Sequence, residues 1–184
     1  MFTSKRVLVA ALLALLLGAC AAPMTSSVAP TRGPNLGRVA TAQEIAAADI
    51  SIPPDGTGLP AGSGTAQQGA AVYAGKCIAC HGEKGVGKPA DALVGGIGSL
   101  ASKTPQRTVG SYWPYATTLF DYVRRAMPIQ SPKSLTNDEA YAVTAYLLNI
   151  NGVVAGDAVM NAQSLPQVKM PNRDNFIIPY PDRI

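Results

Sequence analysis

Five consecutive residues, Cys77-Ile78-Ala79-Cys80-His81, hold two of the chain's three cysteines and its single histidine. In a helical turn, residues three and four apart share one side, so both thiols and the imidazole can meet one flat group. This spelling is that of c-type haem attachment, in which each thiol adds across a vinyl group and the imidazole ligates the iron. Three other chemistries use closely spaced cysteines. A zinc site needs four ligands, and the chain offers no second histidine and only Cys20 besides this pair. A thioredoxin-like redox pair follows a strand, whereas the residues before Cys77 have helical spacing. A structural disulfide would leave His81 without a role. The motif therefore implies one covalently attached haem c held by Cys77 and Cys80, with His81 on the iron. A chain so equipped can make do with a small apolar core of its own.

The first residues have the pattern of an export leader. Lys5 and Arg6 precede the apolar run 7–17, closed by Gly18, Ala19 and Cys20. Eleven apolar residues are too few to span a bilayer as a helix. Leu17-Gly18-Ala19-Cys20 resembles a bacterial lipobox, which implies cleavage before Cys20 and a lipid on its sulfur; the alternative is an ordinary secretory signal ending in cysteine. Several acyl chains, at roughly 0.8 kcal/mol per buried methylene, would anchor the protein stably. The expected location is the periplasm, attached to a bacterial membrane through Cys20. Loss of residues 1–19 removes two of the 15 Lys and Arg and none of the 11 Asp and Glu, so the net charge falls from +4 to +2. With no basic run or aromatic-basic stripe, nucleic-acid binding has no support.

Residues 20–40 are rich in Ala, Pro, Ser, Thr and Gly and read as a tether. Thr41-Ala42-Gln43-Glu44 has the capping-box pattern and predicts a short helix to about Asp49. Residues 51–64, with three prolines and four glycines, form an irregular arm. Helical spacing predicts helices over 66–77, 115–126 and 136–149, the last opened by the box Thr136-Asn137-Asp138-Glu139. Its apolar face is Ala140, Val143, Tyr146 and Leu147. The glycine-rich stretch 82–110 is a long loop after the motif.

Gly69, Tyr73, Cys77, Cys80 and His81, followed by Met127-Pro128 and Tyr146-Leu147, resemble the class I cytochromes c. The resemblance implies an all-α fold of three to five helices around one covalently bound haem, with an irregular N-terminal arm and C-terminal tail. The domains would then be a signal peptide (1–19), a lipidated tether and arm (20–64), the cytochrome c domain (65–150) and an extended tail (151–184). It implies that Gly69 and Tyr73 meet the face of Tyr146 where the first and last helices cross. The family carries Pro-x-Leu after the motif, its proline carbonyl accepting a bond from the axial imidazole. Here Asp91-Ala92-Leu93 stands in that place with Pro89 displaced by two positions. Leu93 is expected to keep the packing role against the haem, and the carbonyl that orients His81 stays open. Met127 matches the distal loop and is the expected sixth ligand; Met170, Met160 or core packing of Met127 are the alternatives. Ligation by His81 and Met127 would fill the iron's coordination sphere, which points to an electron carrier and not an enzyme. Trp113, Arg124 and Arg125 are candidates to meet the haem propionates, against the alternative of an aromatic corner with solvated arginines near a helix end.

A closer resemblance runs over most of residues 36–176. It rests on Leu36-Gly37-Arg38, on Asp55-Gly56-Thr57-Gly58-Leu59-Pro60, and on Thr108-Val109-Gly110-Ser111-Tyr112-Trp113-Pro114-Tyr115. Arg125-Ala126-Met127-Pro128, Leu165-Pro166 and Met170-Pro171-Asn172 extend it. These strings are similar to the cytochrome subunit of the Sox sulfane dehydrogenase (SoxD). The resemblance implies a molybdenum-containing, sulfite-oxidase-family partner whose electrons pass through the haem to another c-type cytochrome. Two departures stand: the best-known members carry two haem domains and are soluble. A free lipid-anchored shuttle serving other redox proteins and a membrane oxidase is the alternative. The arm and tail either bind the partner or wrap the haem domain.

Overall fold

The computed structural model describes residues 36–177. The leader, Cys20 and Met24 lie outside the described residues. The chain divides into two units, Met1–Thr41 and Ala42–Ile184, and the described part of the first is residues 36–41.

The second unit is mostly helical. Its elements are α1 (Ala42–Ala48), β1 (Ser63–Thr65), α2 (Ala66–Lys76), α3 (Ile78–His81), α4 (Ala116–Ala126), α5 (Asn137–Ile150) and β2 (Val159–Asn161), with short 3-10 turns between them. Both α2 and α5 begin with a complete capping box. Thr65 and Gln68 close the first, and Thr136 and Glu139 close the second. Each box satisfies two amide groups that a helix start leaves orphaned. The second was named from the sequence; the first, Thr65-Ala66-Gln67-Gln68, fits the same pattern with glutamine at its fourth position but was not singled out.

Helices α2, α4 and α5 surround the core. Phe120 of α4 and Tyr141 of α5 are fully buried with ring centroids 4.3 Å apart, and burying one such ring contributes about 1.5–3 kcal/mol. Helix α5 is buried far beyond the narrow face its spacing predicts. Besides Ala140, Val143 and Leu147, the structure buries Tyr141, Ala142, Thr144, Ala145 and Leu148. The second face is covered by the arm and the tail.

Ile52 of the arm is 4 % exposed, and its amide donates to Asp121 at 2.9 Å. Thr117 donates to the Pro54 carbonyl and Tyr141 to that of Pro60. From the tail, Met160, Leu165 and Met170 enter the same core, and Asn172 donates to the Tyr112 carbonyl at 3.0 Å. Strands β1 and β2 join arm to tail as an antiparallel pair, Gly64 opposite Met160. Of the two readings of these extensions, wrapping describes residues 50–65 and 159–172. Helix α1 buries no residue. Among the described residues no helix is long and apolar enough to cross a membrane.

Candidate haem site

Helix α2 must come very close to α5 before the motif can be placed. Gly69 makes this possible: a Cβ there would lie 1.9 Å from the Ala142 carbonyl oxygen and 2.7 Å from Tyr146 Cβ. One turn on, Tyr73 is 2 % exposed and packs against Tyr146, the rings tilted by 45° with centroids 5.1 Å apart. The crossing implied by the resemblance is therefore present in all three of its residues. Burial pushes the Tyr73 phenol up to about 12, so it stays a donor, and its hydroxyl gives a bond of 2.9 Å to the Gly82 carbonyl. The helix crossing is thereby tied to the residue that directly follows the motif.

Cys77 sits at the bend between α2 and α3. Its amide donates to the Tyr73 carbonyl, and its own carbonyl accepts from Cys80 and His81 at 3.1 and 3.0 Å. The motif thus occupies one helical turn, with both sulfurs and the imidazole at the spacing the chemistry needs. Gly82 stops the turn at φ 72°, a left-handed conformation that favours glycine. Both cysteines are free thiols and half-buried. Burial pushes the Cys77 thiol up to about 11, a nearby Lys76 charge offsetting part of the effect.

The loop after the motif is stitched back onto it. Gly87 donates to the His81 carbonyl at 2.7 Å and Ala90 to the Cys80 carbonyl at 2.9 Å. This brings the Asp91 carbonyl to 3.2 Å from His81 Nδ1. A carbonyl only accepts, so the proton is on Nδ1 and Nε2 keeps its lone pair. The question left open by the displaced proline has an answer: the acceptor is Asp91, the residue standing at the family's proline position. A backbone carbonyl does not depend on its side chain, so the substitution leaves the bond in place. Leu93 is half-buried against the core, its amide bonded to Gly85 at 2.8 Å.

Met127 follows α4 as its cap residue, half-buried, with its amide donating to Val123 at 3.1 Å. Three residues later Gln130 Nε2 approaches Cys80 Sγ at 3.8 Å, so the loop that follows Met127 reaches the motif. Met160 and Met170 are each 4 % exposed inside the core shared by arm and tail. Trp113 is half-buried at the edge of the core, its indole N–H donating to Thr118 at 3.0 Å, with Tyr122 against the ring. Arg125 is paired with Asp121, and Arg124 donates to Asn137 and the Ile50 carbonyl. Asp121 and Ile50 were not singled out from sequence; only the fold shows that α4 anchors the arm through them.

These residues fit a haem. Two free thiols on one turn, an imidazole with Nδ1 anchored, and Cys77, Leu93 and Trp113 at the open edge of the core are what covalent attachment and axial ligation require. Among the described residues there is no group of three or more His, Cys, Asp or Glu side chains able to hold a bare metal ion.

The family model described as cytochrome c oxidase, cbb3-type, subunit III matches residues 64–147. No curated protein matches the chain. Among solved structures, one described as the sulfane dehydrogenase SoxCD from Paracoccus pantotrophus contains a chain 44% identical to this one, with a TM-score of 0.73. The match covers 82% of this chain and 73% of that one.

Proposed function

The chain belongs to the SoxD-like family of electron-transfer cytochromes, and on that premise we propose that it is the single-haem subunit of a sulfur-compound-oxidising molybdenum dehydrogenase. In this reading one haem is attached through Cys77 and Cys80 and ligated by His81 and Met127. The protein works in the periplasm, tethered to a membrane by a lipid on Cys20, and its partner is a molybdenum-containing subunit of the sulfite-oxidase type. The observation that carries the reading is the 44% identity to a chain of SoxCD over 82% of this chain.

When bound, the haem iron supplies one-electron chemistry between its ferric and ferrous states. The protein's own residues set the terms of that exchange. The Asp91 carbonyl fixes the tautomer of His81 and raises the basicity of the imidazole. Met127, three residues before the Gln130 that reaches Cys80, would supply the thioether, which would favour the ferrous state and leave no position for a substrate. Leu93 and Trp113 cover apolar surface at the site's edge. Bond making at sulfur then belongs to the partner subunit, and this chain passes electrons singly to a further c-type cytochrome.

The test is gentle detergent extraction of the tagged chain from its native membranes, followed by assay for molybdenum and for a stoichiometric second chain. Molybdenum with a partner of the sulfite-oxidase family supports the proposal. A lone haem protein at both low and high salt contradicts it and makes the chain a lipid-anchored shuttle.

A further inference from the structure

Asn151, one residue beyond the end of α5, lies outside the site described above. It is 8 % exposed, and its amide nitrogen makes two bonds. One goes to the Leu147 carbonyl at 2.9 Å, in the last turn of α5, and the other to the Leu93 carbonyl at 3.0 Å, in the loop after the haem motif. Both neighbours are carbonyls, so the nitrogen and not the oxygen of the side chain must face them. Asn151 Oδ1 is the one buried side-chain nitrogen or oxygen atom without a partner among the described residues. It is turned toward Gly110, where a Cβ would lie 2.5 Å from it. A leucine or methionine here would avoid that orphaned oxygen, so the amide is disfavoured on stability grounds at its oxygen and useful only through its nitrogen.

What the nitrogen holds is the segment that orients His81. The Leu93 carbonyl uses both its lone pairs, on Asn151 and on the Val109 amide at 3.2 Å, and the Leu93 amide is bonded to Gly85. Two residues earlier in the same segment is the Asp91 carbonyl that faces Nδ1. We propose that Asn151 is a positioning residue for the axial histidine, setting the strength of the His81–Asp91 bond by clamping Leu93 to the end of α5. The proposal rests on His81 being the iron's proximal ligand. A firmly held acceptor raises imidazole basicity and favours ferric iron, and a loosened one does the reverse.

The experiment uses the full-length, haem-loaded chain and its Asn151→Leu variant, which matches the amide in size but cannot donate. The midpoint potential is measured, together with solvent exchange of the His81 Nδ1 proton by NMR in the ferrous form. A positive shift of the potential with exchange faster by roughly tenfold is expected. Gly110→Ala, which crowds Asn151 from its oxygen side without touching the haem motif, should move both readouts the same way and serves if Asn151→Leu does not fold. Denaturant resistance lost in either variant while potential and proton exchange stay at wild-type values overturns the proposal, because Asn151 would then be structural only. Wild-type protein with no attached haem, or with haem not bound by histidine, overturns the underlying reading of His81 and with it the proposal.

Discussion

At the scale of single residues, the site depends on what faces the two nitrogens of His81. Nδ1 faces the Asp91 carbonyl, so Nε2 carries the lone pair available to a metal. The Cys-x-x-Cys-His spelling implied only that the imidazole would ligate the iron, without saying through which nitrogen. The acceptor was not legible, because a backbone carbonyl has no sequence signature once the family's proline is missing, and only the bonds from Gly87 and Ala90 bring Asp91 there. Met127 is the ligand proposed from its neighbour Pro128 and its place after a helix, and the two alternatives, Met160 and Met170, are buried in the core shared by arm and tail. Met127→Ala is predicted to lose the far-red ferric band of methionine-ligated haem and to lower the reduction potential. An unchanged spectrum would sink this assignment. For Trp113 the sequence left propionate contact and packing side by side; its indole N–H is engaged by Thr118 at 3.0 Å, a partner set by the turn that opens α4.

At the scale of elements, the crossing of α2 and α5 governs where the motif stands. Gly69→Ala would push a methyl group into the Ala142 carbonyl, and overpacking of this kind costs about 1–3 kcal/mol. A lower denaturant midpoint should show it, and an unchanged midpoint would contradict the close contact. The same crossing is bridged by Lys76 and Glu139, 2.6 Å apart. The Lys76 bond, followed by the capping bond from the Thr136 amide, holds the Glu139 carboxyl below its ordinary 4.5. A carboxyl lowered on folding adds stability at pH above that ordinary value, and the gain is lost as pH falls through the folded value. Stability should therefore drop below about pH 4.5, and by less in Glu139→Gln. Equal acid sensitivity of the two proteins, measured by denaturant titration, would refute the coupling. The helices themselves were readable from capping boxes and apolar spacing. The β1–β2 pair was not, since three-residue strands carry too few side chains to show alternation.

At the scale of the whole molecule, the extensions and the haem domain form one packed structure from the arm at Ile52 to the tail at Asn172. Composition alone suggests loose arms, rich in proline and glycine. The structure shows why they are held: Asp121 accepts the Ile52 amide while paired with Arg125, and Met160, Leu165 and Met170 complete the core. The buried second face of α5 was the signal available in the sequence, where Tyr141, Ala142, Ala145 and Leu148 exceed what one apolar stripe needs. Asp121→Ala is expected to cost about 1–3 kcal/mol and to open residues 50–54 to limited proteolysis; a digestion pattern like that of the native protein would contradict the clamp. All of these features serve the claim that the chain carries one covalently bound haem as an electron-transfer subunit. The most direct test is the intact mass of the chain after acid denaturation and extraction, with the Cys77–His81 peptide then isolated. The account predicts one haem retained per chain and located on that peptide. A haem-free mass, or a disulfide between Cys77 and Cys80, would contradict it.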